Sequence, residues 1–189
     1  MNPKFPLDDV LLKKVKTPRT VRVPLYADNF WQLNQNEFAM QVEGIGRFYA
    51  CNGNEVEYSP AEDATLASVE LYLNGSVYGA ILHQRNILPL HGSSFAWKGR
   101  GILLCGESGA GKSSLTAAFC MSGAEFLTDD VTPVHFNDGN PEIIPLSDRI
   151  KLWNDSLSQL KQETSCLTAV TPGYEKYYLD RKSTRLNSS

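Results

Sequence analysis

The sequence predicts an α/β fold in which a glycine-rich loop joins a strand to a helix within a mixed sheet, preceded by a small antiparallel β lead-in. Three observations predict it. Short alternating runs are punctuated by Asn52-Gly53 and Asp138-Gly139, dipeptides that accept the positive φ of tight hairpins. Leu66, Val69, Leu73, Val77 and Ala80 or Ile81 recur in steps of three and four, the period of one buried helix face. The run GILLCGESGAGKSSLTAAF puts an apolar strand, a glycine-rich loop and a helix in direct succession.

The first strands fall within residues 20–58. Phe38 to Val42 alternates apolar and small or polar side chains, and RFYAC and NEVEY flank Asn52-Gly53 as a hairpin. Gly44-Ile45-Gly46 lies among these strands with no helix behind it and reads as a turn or bulge. Ser59, Pro60 and Glu62 have the spacing of a capping box with proline at the first helical position, so a helix is expected from Ser59 to about Arg85. Gly75 and Gly79 inside it are expected to let a neighbour approach closely. SSFAW, the turn KGRG and GILLC form a hairpin whose second strand, Ile102 to Cys105, feeds Gly106. The helix opening at Lys112 stops at Gly123, and a strand, Glu125 to Thr128, follows. VTPVHF and EIIPL then flank Asp138-Gly139. The domains are therefore read as 1–58, the β lead-in, and 59–179, the loop-bearing unit.

Composition narrows the partners. The net charge is −3 with no dense run of Lys and Arg, which leaves no general attraction for nucleic acid or an anionic membrane. Any bound anion needs a local site. Four cysteines without a CxxC pair, and an N-terminus with charges where a signal peptide has its apolar core, fit a reduced cytoplasmic setting. No apolar run approaches the roughly 20 residues that span a bilayer. The last ten residues, DRKSTRLNSS from Asp180, are polar and without period, and read as a foreign tail that packs against nothing. On that reading the natural chain continues past Leu179 and the second domain is truncated.

Gly106-Glu107-Ser108-Gly109-Ala110-Gly111-Lys112-Ser113 fits G-x-x-x-x-G-K-[ST], the P-loop pattern, and Ser114 follows in the first helical turn. Glycines let backbone N–H groups turn inward around phosphate oxygens, and the helix opening at Lys112 points its positive end at them. Lys112 is placed for the β- and γ-phosphates, and the Ser113 hydroxyl for Mg²⁺. Phosphoryl transfer also needs carboxylates, and Asp129 and Asp130 stand at the end of the next strand, close to the loop if the two strands are neighbours. His91 precedes the hairpin that leads to the loop; His83 and His135 have no partner motif.

The stretch LPLHGSSFAWKGRGILLCGESGAGKSSLTAAFCMSGAEFLTDD, Leu88 to Asp130, resembles the catalytic domain of HPr kinase/phosphorylase and, more closely, the smaller HPr-kinase-like serine kinases. The likeness lies in the Leu-His element at His91, the hairpin, the loop and the paired aspartates, and extends more loosely to RIKLWNDSL. The resemblance implies a phosphoenolpyruvate-carboxykinase-like fold and ATP-dependent phosphorylation of a serine on a protein or peptide. It also implies Asp129 as base and Asp130 as metal ligand, in an order that could be reversed, with His91 near the transferred phosphate. The family's downstream Glu-x-Arg-Gly run is absent, and the corresponding region reads PLSDRIKLWNDSL, so phosphorylase activity and HPr itself as acceptor do not carry over.

Two other functions use the same loop. One is a nucleotide-binding switch or NTPase without a protein acceptor. The other is a small-molecule phosphotransferase of the carboxykinase type, which needs a further pocket with its own arginines. The sequence names neither the acceptor nor the oligomer, and a homo-oligomer stays open.

Overall fold

The computed structural model describes residues 3–146, 149–164, 167–170 and 175–180. It is a mixed α/β protein with mostly sheet content, and the chain divides into two compact units after Leu88.

In the first unit, β1 (Leu11–Lys14), β2 (Tyr26–Ala27), β3 (Trp31–Leu33), β4 (Glu37–Val42), β5 (Gly46–Cys51) and β6 (Glu55–Pro60) form one sheet in the order β1-β6-β5-β4-β3-β2. β1 runs parallel to β6, and the other neighbours are antiparallel. The Asn52-Gly53 turn forms as expected, with φ of 53° and 70°, and Gly44 to Gly46 makes the turn between β4 and β5.

The helical segment of this unit comprises α1 (Leu66–Tyr72), a π-helical turn (Leu73–Val77) and α2 (Tyr78–Gln84). Val69, Leu73, Val77 and Ile81 are buried against Phe38, Met40, Phe48, Ala50, Val56 and Tyr58 of the sheet. The helix therefore belongs with the β lead-in, and the unit boundary lies at 88/89 instead of 58/59.

Two expectations about this helix are corrected. Ser59 and Pro60 do not start it: they pair with Arg47 and Gly46 in β6, and Ser59 Oγ donates to the Lys16 carbonyl at 3.1 Å. The ladder wins over the cap, and the helix opens at Thr65, whose Oγ1 accepts from the Ser68 N–H at 3.1 Å. Gly75 and Gly79 do not admit a neighbour, since a Cβ at either would meet nothing within 4 Å. Gly75 instead lies in the π turn. Leu66, read as part of the buried face, is exposed.

In the second unit, β7 (Leu88–Trp97) turns through Lys98 and Gly99 into β8 (Arg100–Cys105). α3 (Lys112–Met121) leads to β9 (Glu125–Thr128), followed by β10 (Val131–Asn137) and β11 (Asn140–Ile143). The sheet order is β11-β10-β7-β8, with β9 also on β7. Both β8 and β9 are antiparallel to β7. They are thus parallel to each other but separated by β7, not neighbours.

β12 (Arg149–Trp153), α4 (Asn154–Gln159), β13 (Thr168–Ala169) and β14 (Lys176–Asp180) complete the unit, the strands making a small antiparallel sheet in the order β12-β14-β13. Ala117 and Cys120 of α3 share a core with Phe95, Phe126, Ile150, Leu152, Leu157 and Leu179, so α3 joins both sheets. Asp180, read as the start of an unpacked tail, ends β14 opposite Arg149; the rest of that tail, 181–189, lies outside the described residues.

The tightest backbone contact in the first sheet yields a test. Gly46 has φ of 148°, and a Cβ there would lie 2.4 Å from the Ser59 carbonyl oxygen. Gly46→Ala should cost about 2–3 kcal/mol, read as a lower urea midpoint, whereas Gly75→Ala, with open space around it, should leave the midpoint unchanged or raised.

Candidate functional site

The loop from Gly106 to Gly111 takes a path that side chains disfavour. Gly109 and Gly111 both have φ of 83°, in the region where glycine pays no steric penalty. Gly111 caps α3 without any side-chain hydrogen bond, which leaves the first-turn N–H groups for another acceptor. Lys112 bends back over the loop, its Nζ donating to the carbonyls of Gly106 at 2.8 Å and Glu107 at 2.9 Å.

The acids arrive from the other side of β7. The chain leaves β9, passes through Asp129 and Asp130, and enters β10; Asp130 sits at φ 67°, and its carbonyl accepts from the Gly92 N–H at 3.1 Å. A buried hydroxyl chain flanks this kink. Ser94 Oγ lies 2.7 Å from Thr128 Oγ1, which lies 2.5 Å from Thr132 Oγ1, and all three residues are fully buried. These groups satisfy one another where water is excluded and so hold the kink in one shape.

Asp129 ties the site together. Ser113 Oγ donates to its Oδ1 at 2.8 Å, and the Lys151 N–H donates to its Oδ2 at 2.8 Å. Burial, then the neighbouring charge of Asp130, pushes its carboxyl above the usual value against the pull of these donors. For Asp130 burial acts in the same direction, but the ion pair with Lys151 Nζ, aided by Lys176 and His91, holds it below the usual value.

His91, Ser108, Gly109, Gly111, Lys112, Ser113, Ser114, Asp129 and Asp130 line a single cleft. Gly106 and Glu107 contribute carbonyls to Lys112, and Ala110 packs within the loop, its N–H donating to the Glu107 carbonyl. Sequence reasoning missed Lys151, Trp153 and Ser156; they line the cleft together with Lys176, from the sequence only a weak candidate for the γ-phosphate. The alternation in RIKLW was the available signal: Ile150 and Leu152 are buried while Lys151 and Trp153 face out.

Among the described residues no cluster of three or more His, Cys, Asp and Glu could hold a metal ion. The donor set still suits Mg²⁺, which takes one or two protein oxygens and fills its shell from phosphate and water; Ser113 and Asp129 are already adjacent for that purpose. A roomier concavity, about 520 Å³, lies in the first unit beside Arg19, Glu37 and Tyr49. Its Arg19 is already paired with Glu55 and Glu57, and its Tyr49 with Glu37.

No family model, curated protein or solved structure matches this chain.

The Asp130–Lys151 pair has a pH signature. Its folded carboxyl titrates below the unfolded value, so its stabilisation is present above about pH 4 and is lost as pH falls through the folded value. Lys151→Met should destabilise by about 1–3 kcal/mol at neutral pH, less than a fully buried pair because Asp130 is partly exposed. The gap from wild type should narrow as Asp130 is protonated. A gap independent of pH in denaturant titrations would assign the effect to the lysine stem alone.

Proposed function

We propose that the second unit is a P-loop phosphotransfer site of the carboxykinase-like kind, acting as an ATP-dependent serine kinase on a protein or peptide. The observation that carries this reading is the convergence of Lys112 and Ser113 from the loop with Asp129 and Asp130 from the β9–β10 kink in one cleft. A glycine-rich turn without a ligand gives no reason for an acidic pair to sit against its serine.

The roles follow from the contacts. Lys112 rests on two neutral carbonyls, partners that phosphate oxygens readily replace because the anionic acceptor adds a full opposite charge to the hydrogen bond. Ser113 and Asp129 together would hold Mg²⁺, which supplies positive charge at the β- and γ-phosphates when bound. Asp130, kept ionised by Lys151, is the carboxylate suited to orient an acceptor hydroxyl and take its proton. This reverses the order taken from the resemblance, and the Ser113–Asp129 hydrogen bond is the reason. His91 lies in the same cleft, near enough to Asp130 to act on its charge.

The test is nucleotide affinity by calorimetry, with and without Mg²⁺, beside phosphate transfer to serine peptides followed by mass spectrometry. Asp130→Asn should keep Mg-ATP affinity within about threefold yet lower transfer by 10²-fold or more, roughly the range for losing a positioned base. Asp129→Asn should lose metal-dependent binding, and Lys112→Ala should weaken ATP binding without unfolding the chain. Wild-type protein that hydrolyses ATP but labels no serine would replace the kinase with a nucleotide-driven switch.

A further inference from the structure

The strand that presents Lys151 to the acids also carries an aromatic ring for which neither core packing nor helix capping accounts. Trp153 stands at the N-cap of α4, where it forms no side-chain cap, a position that favours Ser, Thr, Asp or Asn. It is 46% exposed, lines the same cleft as Lys112 and Ser113, and has Lys176 Nζ 5.5 Å from its ring centroid. Three residues on, Ser156 accepts a hydrogen bond from Ser114 Oγ at 2.7 Å. The chain therefore runs from the acids at Lys151, past Trp153, to the side of α3 that follows Ser113.

A nucleotide anchored by this loop has its terminal phosphate at Lys112 and its inner phosphates along the loop N–H groups. Its nucleoside then lies beyond the inner phosphates, against a wall of the cleft. We propose that Trp153 is the platform on which the nucleobase stacks, with Lys176 beside the ring. This rests on the phosphate-loop reading and adds the group that distinguishes a nucleotide from an inorganic polyphosphate. A π-face accepts any base, and a ring at the end of a paired strand is held in place more firmly than one on a loop.

The test compares Mg-ATP with magnesium tripolyphosphate on the whole chain by calorimetry. Trp153→Ala should raise the Kd for Mg-ATP about tenfold or more, the range for losing one base–aromatic stack, while leaving tripolyphosphate affinity within about twofold. Trp153→Phe, which keeps a π-face, should bind Mg-ATP within about threefold of wild type. Nucleotide, but not tripolyphosphate, should quench tryptophan emission in wild type, and the quench should vanish in Trp153→Phe although Trp31 and Trp97 remain. The platform is overturned if Trp153→Ala binds ATP as wild type does, or loses both ligands alike, as a structural role would predict. Wild type that holds tripolyphosphate as tightly as ATP overturns the platform and leaves the loop standing. Binding of neither overturns both.

Discussion

The second unit depends on one half-buried carboxylate. Asp129 takes the Ser113 hydroxyl on one oxygen and the Lys151 N–H on the other, so a single side chain fastens the start of α3, the β9–β10 kink and β12. Burying a carboxylate is costly unless its oxygens are satisfied. Here the donors come from elements that the core already brings together, Ala117 of α3 packing with Ile150 and Leu152 of β12. The polar fastening and the apolar packing select the same arrangement.

That arrangement explains how acids and loop meet although their strands are not neighbours. β8 and β9 are both antiparallel to β7, so they point the same way and their C-terminal ends emerge at one edge of the sheet. With β7 between them they stand about two strand spacings apart, roughly 9–10 Å. The first turn of α3 bridges that gap, because Ser113 lies one residue into the helix and reaches Asp129 with its side chain. The kink at Asp130, in a left-handed backbone conformation, turns the second carboxylate toward Lys151 instead of letting it continue the strand.

Legibility in the sequence followed the range of the interaction. The Asn52-Gly53, Lys98-Gly99 and Asp138-Gly139 turns all carry positive φ in both residues; the glycine-rich loop, the limits of α3 and β9 could also be read, because local backbone chemistry decides each. The helix start was misread because a local signal lost to a distant one. Ser59-Pro60-x-Glu62 has the spacing of a cap, but Ser59 pairs with Arg47 in the sheet and the cap falls to Thr65. Lys151 was illegible for a related reason: its partner Asp130 lies far along the chain, at the β9–β10 kink, and nothing local in RIKLW distinguishes a lysine facing a carboxylate from one facing water. Strand alternation gives the side, not the neighbour.

The charges of the cleft bear on what it can accept. Lys112, Lys151 and Lys176 face Asp129 and Asp130 there, while the whole chain carries −3. Long-range attraction for a polyanion is therefore absent, and the local surplus is about one positive charge. Lys151 is committed to Asp130, whereas Lys112 is held only by carbonyls, so one lysine is free to exchange partners and the other is not. A polyphosphate entering alone would bring several negative charges against Asp129, a carboxylate already reluctant to ionise because of burial and of Asp130. A polyphosphate accompanied by a divalent cation removes that conflict at the oxygen atoms where it is greatest. On the proposed phosphotransfer reading, the same pair of acids selects against a bare anion, and this is the physical sense in which a phosphate loop with adjacent carboxylates differs from a simple anion-binding turn.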